Sequence, residues 1–428
     1  MKLREKLLCF LICCYMILLP LIPSQINIRY IHLIPNLILL LIIIIYVISS
    51  ISNSQGRREF SVSIKDFFKD YIGIFFILFF IIMMVSVSFA TDKKLALSEG
   101  ARFLTYIILY FIIKYSIKEN LNIKAIINSY IFTLALISVI GLVQYFTGIG
   151  LDPAFSFVDK NSVIKYRISG TLENPNNLGA FLVLGLFPTI MLMLKEKIKK
   201  IKLIYAVIIL IVLFDVVTSY SRNALIGVVI ASVALAILYN WKALIAVVGV
   251  GGLIFFIPQI NFRFLTALNG TVNSDRVKLW RTALEMFKEH PLTGVGNGNY
   301  ITLYDNYVYR HPELRYMNYS HFPSHNSYLK VLSELGIFGI IVFLGLIASS
   351  LFKLKQCLNK ITDSYYKAFF TGVLASALGF LVMNFSDNMF FIPNTTTYFW
   401  IFIALADSLL YKNKTTRGGY NEGINYWS

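Results

Sequence analysis

Apolar segments long enough to cross a lipid bilayer recur along this chain, and they constrain its fold more than any other feature. Crossing the hydrocarbon core takes about 20 apolar residues in a helix. The windows of that kind lie near 6–23, 30–50, 70–90, 98–116, 124–147, 176–194, 202–220, 222–240, 242–258, 328–352, 365–386 and 394–411. The sequence therefore predicts an all-α, polytopic membrane protein with about 12 transmembrane helices.

The composition agrees with a membrane protein and excludes a soluble multidomain one. Hydrophobic residues make up 57% of the chain and charged residues only 14%, whereas about a quarter of the residues are charged in soluble domains. The formal net charge of +17 would suggest a nucleic-acid partner in a soluble protein. Here most basic residues lie between apolar segments, where they orient the chain in the bilayer. We expect a lipid environment and no nucleic-acid partner.

The placement of lysine and arginine predicts the orientation of the helices. Cytoplasmic loops of membrane proteins are enriched in both residues. With the N-terminus inside, the predicted cytoplasmic segments hold most of the basic side chains and the short outer loops hold few. This arrangement places both termini in the cytoplasm and two long loops, 148–175 and 259–325, outside. The windows between 202 and 258 are nearly continuous, so the orientation depends on how many helices they form.

The longer outer loop, 259–325, contains a predicted amphipathic helix with an arginine in its first turn. Ser274 or Asp275 can cap this helix, and Pro291 ends it. Its predicted apolar face consists of Val277, Trp280, Ala283, Leu284 and Phe287. Arg276 lies beside the positive helix end, where a guanidinium suits a phosphate. The alternative is a surface arginine without a role.

A second arginine of this helix has a simpler explanation. Arg281, Glu285 and Glu289 follow one another at a spacing of four residues. Side chains at that spacing are neighbours on one helix face. We expect Arg281 to form an ion pair on the solvated face.

Two of the five histidines close the same loop, and one of them directly precedes a new apolar helix. His321 and His325 lie within the run His-Phe-Pro-Ser-His-Asn-Ser-Tyr at 321–328. An imidazole can act as a general base or bind a phosphate near neutral pH. Incidental histidines in an interfacial loop are the alternative. Zinc is less favoured, because no cysteine or carboxylate joins the pair at ligand spacing.

Two further arginines stand at the edges of apolar segments. Arg222 follows Ser-Tyr-Ser between two apolar helices, and an arginine deep in hydrocarbon costs about 2.5–3.5 kcal/mol. It is therefore a functional candidate, unless it merely neutralises Asp215 or extends to the membrane surface. Arg167 precedes the run Asn-Pro-Asn-Asn at 174–177. Turn formation explains that run but not the arginine.

Four short motifs follow one another on the predicted outer side, over roughly residues 160–345. They are Arg-x-x-Gly-Thr-x-x-x-Pro-Asn at 167–176, Ser-Arg-Asn-Ala at 221–224, Arg-x-x-x-Trp at 276–280 with Pro-Leu-Thr-Gly-Val-Gly at 291–296, and His-Asn-Ser-Tyr-Leu with Glu-Leu-Gly at 325–336. In this order they resemble the O-antigen ligase and O-antigen polymerase superfamily of bacterial membrane glycosyltransferases. Each motif is weak by itself, and the order makes the match fairly specific.

The resemblance implies the fold, the reaction and the location of the protein. It implies one integral membrane domain over 1–428, with a GT-C-like fold and a large extracytoplasmic loop between helices 9 and 10. The implied reaction moves a glycan from undecaprenyl diphosphate to an acceptor hydroxyl in surface polysaccharide biosynthesis. The partners would be this lipid-linked donor and a glycan or lipid-linked acceptor. The site would face the extracytoplasmic side of the bacterial cytoplasmic (inner) membrane.

The resemblance also assigns roles to residues. It implies that Arg222 and Arg276 contact the diphosphate and that His325 serves in catalysis, as a base or a phosphate partner. Additional candidates are Arg167, Asn326, Glu334 and Arg281. No metal or cofactor is implied, since arginines can neutralise a diphosphate leaving group.

Alternatives for the function stay open at this point. The acceptor of a polymerase would be a second lipid-linked glycan, and that of a ligase a lipid A core sugar. We favour these over a protein O-oligosaccharyltransferase, which often brings an extra extracytoplasmic domain. A lipid-linked glycan flippase or other transporter also fits twelve helices. It would be expected to line a central cavity with charges, whereas the unexplained arginines cluster on one predicted side.

Overall fold

The computed structural model of the chain describes residues 2–22, 30–158, 163–242 and 271–422, and these are almost entirely helical. The helices are α1 (Lys2–Leu21), α2 (Ile34–Ile51), α3 (Ser54–Lys69), α4 (Tyr71–Ser86), α5 (Lys93–Ser116), α6 (Asn120–Thr147), α7 (Pro175–Lys195), α8 (Lys199–Thr218), α9 (Arg222–Leu238), α10 (Thr271–Glu289), α11 (Tyr300–Arg310), α12 (Ser327–Lys360), α13 (Ser364–Met383) and α14 (Pro393–Glu422). A small antiparallel hairpin, β1 (Ser156–Val158) and β2 (Ile164–Tyr166), interrupts the segment between α6 and α7.

The described helices include seven that are long and apolar enough to cross a membrane. They are α2 with the short turn before it, α5, α6, α7, α8, α12 and α13, and the pair α3–α4 adds an eighth if it counts as one span. This agrees with the expected all-α, polytopic membrane protein. The number twelve stays a prediction, and residues 243–258 of its ninth window, 242–258, lie outside the described residues.

Small residues let the central helices approach closely. Helices α7 and α13 are the most deeply buried spans, with 78% of the apolar window of each inside the protein. A Cβ at Gly372 of α13 would lie 2.4 Å from Pro188 of α7, and one at Gly379 would lie 2.5 Å from the carbonyl oxygen of Gly227 in α9. Close contact of this kind holds helices together in lipid, where apolar burial gives little driving force.

The segment between the second and third apolar windows forms α3, a helix that the apolar windows do not predict, and α3 meets α4 at 81°. Asp70 stands at the corner, and its carboxylate accepts the N–H of Ile72 at the start of α4. Gly73 permits the corner, because a Cβ there would lie 2.0 Å from the carbonyl oxygen of Phe67. Helix α3 is polar on one side, so it differs in character from the apolar α4 that it precedes.

Glycines allow the segment after α10 to pack closely against helix α12. The backbone N–H of Gly296 donates to the carbonyl of Glu334 over 2.9 Å, and that of Ile337 donates to the carbonyl of Pro291 over 2.9 Å. Helix α12 is kinked at Gly336, which has φ +67°. A Cβ at Gly294 would lie 2.3 Å from the backbone of Glu334. The motifs at 291–296 and 334–336 are therefore two sides of one packed joint.

The orientation of the chain can be tested with exposed positions on opposite ends of the bundle. Tyr309 is 83% exposed on α11, and Asn359 is exposed in the last turn of α12. With the native cysteines replaced, cysteines introduced at these two positions should react with a membrane-impermeant thiol reagent from opposite sides. Labelling after detergent permeabilisation is the control for reactivity. Labelling of both positions from one side in intact cells would contradict the orientation.

Candidate active site

The N-termini of α7, α9 and α12 lie close together, and the side chain of the residue before each helix caps its first turn. The Asn174 side chain accepts the N–H of Asn176 at the start of α7 over 2.7 Å. Ser221 caps α9, and Asn326 accepts two N–H groups of the first turn of α12, each over 3.0 Å. Helix N-termini carry partial positive charge and further free N–H groups. Their convergence gives this end of the bundle a positive potential.

The amide of Asn176 connects these helix starts. Its Oδ1 accepts hydrogen bonds from the Arg167 guanidinium over 2.9 Å and from the Ser221 hydroxyl over 2.8 Å. Its Nδ2 donates to Oδ2 of Asp387 over 3.0 Å. Arg167 also donates through Nε to the carbonyl of Ser219 over 2.9 Å. Arg167 thus ties the loop before α7 to the corner between α8 and α9.

The carboxylate of Asp387, between α13 and α14, holds His325. Oδ1 of Asp387 lies 3.0 Å from Nδ1 of His325 and accepts the Asn388 N–H over 2.9 Å. Burial acts to raise the pKa of the Asp387 carboxyl, but the hydrogen bond and charge of His325 and the charge of Arg276 hold that pKa below its ordinary value. An ionised carboxylate can only accept, so Nδ1 of His325 carries the proton. Nε2 is then the basic nitrogen of the ring.

Backbone strain marks the residue before each of the three caps. Glu173, Tyr220 and His325 have φ values of +63°, +47° and +46°. Residues other than glycine seldom adopt positive φ, and where they do the strain often lies at a functional site. The strained turn holds the His325 ring at a fixed position ahead of α12.

Two arginines stand beside this network. Arg276 of α10 donates to the carbonyl of Ser386 over 2.6 Å, next to Asp387. Arg222 is the first residue of α9, half-buried, and close enough to Arg276 for the two charges to repel. Within the described part of the chain, no carboxylate forms an ion pair with Arg222. The suggested pairing with Asp215 is wrong, since the described chain offers the buried Asp215 carboxyl no hydrogen-bond partner.

Residues 205–344 match the family model described as O-antigen ligase. This match confirms the resemblance to the O-antigen ligase and O-antigen polymerase superfamily. The matched segment contains Arg222, Arg276 and His325 and leaves Arg167 and Asp387 outside. No curated protein matches the chain. Together with the apolar helices, this match supports a bacterial membrane protein of the glycosyltransferase or ligase type with a function in surface polysaccharide biosynthesis.

Of the additional candidate residues, Asn326 lies at the site and Glu334 does not. The Asn326 N–H donates to Oδ1 of Asn388 over 2.9 Å while its side chain caps α12. Glu334 is 1% exposed, pairs with Lys330 at 2.7 Å and accepts the Gly298 N–H over 2.8 Å. Its contacts fix the segment between α10 and α11 against α12.

The expected ion pair of Arg281 is wrong. Glu285 pairs with Lys288 at 2.7 Å, and Glu289 pairs with Arg310 of α11 at 2.8 Å. Lys288 lies three residues after Glu285 and therefore on the same face of α10. Helix α11 packs against the end of α10, so its Arg310 pairs with Glu289. Arg281 itself is exposed.

The predicted apolar face of this helix is also partly wrong. The side chains buried are those of Leu279, Thr282, Ala283 and Met286. Leu284 is 38% exposed. The face is rotated from the expected one because α11 covers α10 from a side that the spacing of apolar residues did not reveal.

Sequence reasoning missed Asp387. It lies in Asn-Phe-Ser-Asp-Asn at 384–388, where two predicted membrane windows meet. A carboxylate at the end of an apolar helix is expensive to keep in a membrane and marks a functional position by default. That signal was present in the sequence, but no motif pointed to it.

The role of Asp387 can be separated from a general loss of charge. Asp387→Asn should lower glycan transfer by about 10²-fold or more, the range of general acid–base assistance, because the amide cannot act as an anionic acceptor for Nδ1 of His325. Asp305→Asn is the matched control, since Asp305 pairs with the exposed His321 at 2.7 Å. Transfer should be assayed at equal membrane levels of both variants. Equal activity of the two variants would show that Asp387 has no special role.

Proposed function

We propose that the chain transfers a glycan from undecaprenyl diphosphate to an acceptor hydroxyl, as a polymerase or ligase of surface polysaccharide. The observation that carries the proposal is the His325–Asp387 pair beside Arg222 and Arg276, where three helices begin. A basic imidazole nitrogen and two cations in one place are what transfer from a diphosphate carrier requires.

The arginines fit the leaving diphosphate. Arg222 and Arg276 repel each other, and a bound dianion would remove that repulsion. Guanidinium groups can hold phosphate oxygens through two parallel hydrogen bonds. The positive ends of α7, α9 and α12 add to the same potential. Binding would strengthen as negative charge develops on the leaving diphosphate, which is the condition for catalysis rather than mere binding.

His325 fits the acceptor hydroxyl. In the proposed step the acceptor oxygen attacks the anomeric carbon of the donor sugar, and the bond from that carbon to the diphosphate oxygen breaks. Nε2 of His325 takes the hydroxyl proton, and the diphosphate leaves with the bonding electron pair. Asp387, at 3.0 Å from Nδ1, would stabilise the imidazolium formed.

The remaining candidates would support the site rather than react. Arg167 and Asn326 would hold the loop before α7 and the start of α12 through the hydrogen bonds described above. Glu334 would act through the joint between α12 and the segment after α10. No contact in the described residues supports a role for the exposed Arg281.

We place the reaction on the extracytoplasmic side of the cytoplasmic membrane, in a GT-C-like single membrane domain over 1–428. The region 160–345 would carry the transfer site, and the loop 259–325 would be extracytoplasmic. The support is the distribution of lysine and arginine along the sequence.

A lipid-linked glycan flippase is the runner-up, and a layer of aromatic residues weighs against it. A flippase needs polar groups along a path through the protein. A second group of charges does lie at the far end of the bundle, around Asp407. Between the two ends, the rings of Phe76, Phe390 and Trp400 are buried, and Phe76 lies 4.8 Å from Trp400. The polar groups therefore form two separate sites.

The diphosphate assignment predicts that charge alone is insufficient. Arg222→Lys and Arg276→Lys should each lose most activity while accumulating in the membrane, because lysine lacks the planar fork. Arg281→Lys on the same helix as Arg276 is the control and should behave like the wild type. Polymer or ligated glycan is measured by gel analysis of cell-surface polysaccharide. Near-normal amounts of product from both Arg276→Lys and Arg276→Ala would contradict the assignment of Arg276 to the diphosphate.

The catalytic assignment predicts different effects for the two histidines. His325→Ala should lower the rate by about 10²–10⁴-fold. His321→Ala should be milder, since that side chain is exposed and pairs with Asp305. The assay uses purified protein with lipid-linked donor and acceptor, with and without EDTA. Loss of activity in EDTA and recovery on adding Zn²⁺ would replace this mechanism with a metal-assisted one.

A further inference from the structure

A second polar site lies at the opposite end of the bundle from His325. Helix α14 begins next to the Asp387 loop, and Asp407 lies about 20 Å further along it at 1.5 Å per residue. Around Asp407 there is a cavity of about 350 Å³. Helices α3, α5, α12 and α14 and the corner between α3 and α4 contribute to its wall.

Two lysines and two aspartates form a ring in the wall of this cavity. Lys114 lies 2.5 Å from Asp70 and 2.9 Å from Asp407. Lys353 lies 2.8 Å from Asp70 and 3.0 Å from Asp407. Lys114 is only 1% exposed. Burying four charges costs a desolvation free energy that their mutual attraction does not easily offset. Such residues are by default candidates for a functional site.

The carboxylates of the cavity already have partners. Both oxygens of Asp407 accept from the ring lysines, and Oδ2 also accepts from the Tyr110 hydroxyl over 2.5 Å. Asp66 accepts from the Tyr115 hydroxyl over 2.8 Å and pairs with Lys414 at 3.2 Å. A metal cation would have to compete with these groups for the same oxygens.

The lysines, in contrast, are in excess. Five lysines and three aspartates line the cavity, which leaves two positive charges uncompensated. Lys69 and Lys360 stand exposed at its edge, and in the described chain neither forms an ion pair with a carboxylate. A lysine ammonium is a compact point charge that suits a phosphate. The cavity therefore fits an anion and not a cation.

The helix beside the opening fits a membrane surface. Helix α3 stands at 81° to the apolar α4. It exposes basic residues, among them Lys65 and Lys69, together with the apolar side chains of Val62 and Phe68. Helices of this composition lie in the plane of the lipid headgroups. Phe352, next to the ring lysine Lys353, is also exposed. The opening of the cavity is thus at headgroup level, where phosphate groups are abundant.

We propose that this cavity binds a phosphate group at the membrane face opposite to His325. The phosphate would come from an anionic phospholipid or from free phosphate, and Lys69 and Lys360 would contact it at the opening. Binding would link α3 to α12, whose other end begins at the reactive site. The proposal does not depend on the glycan transfer proposed above.

Two double variants test the site with equal loss of charge. Lys69→Gln with Lys360→Gln removes the lysines at the opening, and Lys65→Gln with Lys355→Gln removes exposed lysines from the same two helices outside the cavity. Thermal unfolding of the purified proteins in nonionic detergent is measured with phosphatidylglycerol, phosphatidylcholine, sodium phosphate or sodium sulfate added. A ligand that binds the folded state raises the midpoint temperature.

We expect phosphatidylglycerol to raise the midpoint temperature of the wild type and of the Lys65/Lys355 variant, and phosphatidylcholine to have little effect. The Lys69/Lys360 variant should lose most of the rise that phosphatidylglycerol causes. A rise with sodium phosphate that sulfate at equal ionic strength does not reproduce would identify free phosphate as the ligand. Equal rises in both double variants, or no rise with either phosphate source, would overturn the proposal. Should the double variant not fold, Lys69→Gln alone is compared with Lys65→Gln.

Discussion

The carboxylate of Asp387 joins parts of the chain that are far apart in sequence, and the geometry of the candidate active site depends on it. One of its oxygens accepts from Asn176 at the start of α7, and the other binds His325 just before α12. Removing one partner of such a buried, hydrogen-bonded group leaves the others unsatisfied, which is costly at low dielectric. Asp387 can therefore fix the position of His325 only while Asn176 and Arg167 are also in place.

The protein keeps its polar groups at two ends of an apolar bundle. Near His325, Arg222 and Arg276 lie close enough for their charges to repel, and no carboxylate among the described residues forms an ion pair with Arg222. Near Asp407 two lysines and two aspartates balance each other, and the excess lysines stand at the opening. Between them the buried rings of Phe76 and Trp400 keep the bundle apolar, as expected where lipid offers no hydrogen bonds. The two ends therefore carry different arrangements of charge.

Local sequence patterns predicted the class of fold and much of the site. Apolar windows located the helices, because the bilayer fixes their length. Helix α3 was missed, because its apolar face is one side of a polar helix and not a continuous run. The arginine and histidine motifs pointed to Arg222, Arg276 and His325, which do lie around one network. These motifs could not show that Glu334, which belongs to one of them, lies away from this network and fixes the segment between α10 and α11 against α12.

By itself the sequence determined that this chain is an apolar, helical membrane protein that resembles a known superfamily, since helix length and short motifs are local properties. Only the tertiary structure decided which side chains meet. Asp387 comes more than 60 residues after His325 and more than 200 after Asn176, so no spacing rule links them. The buried face of α10 and the partner of Glu289 were likewise decided by helix α11, which packs against α10. Contacts between helices depend on how whole surfaces fit, and a single sequence does not display that fit.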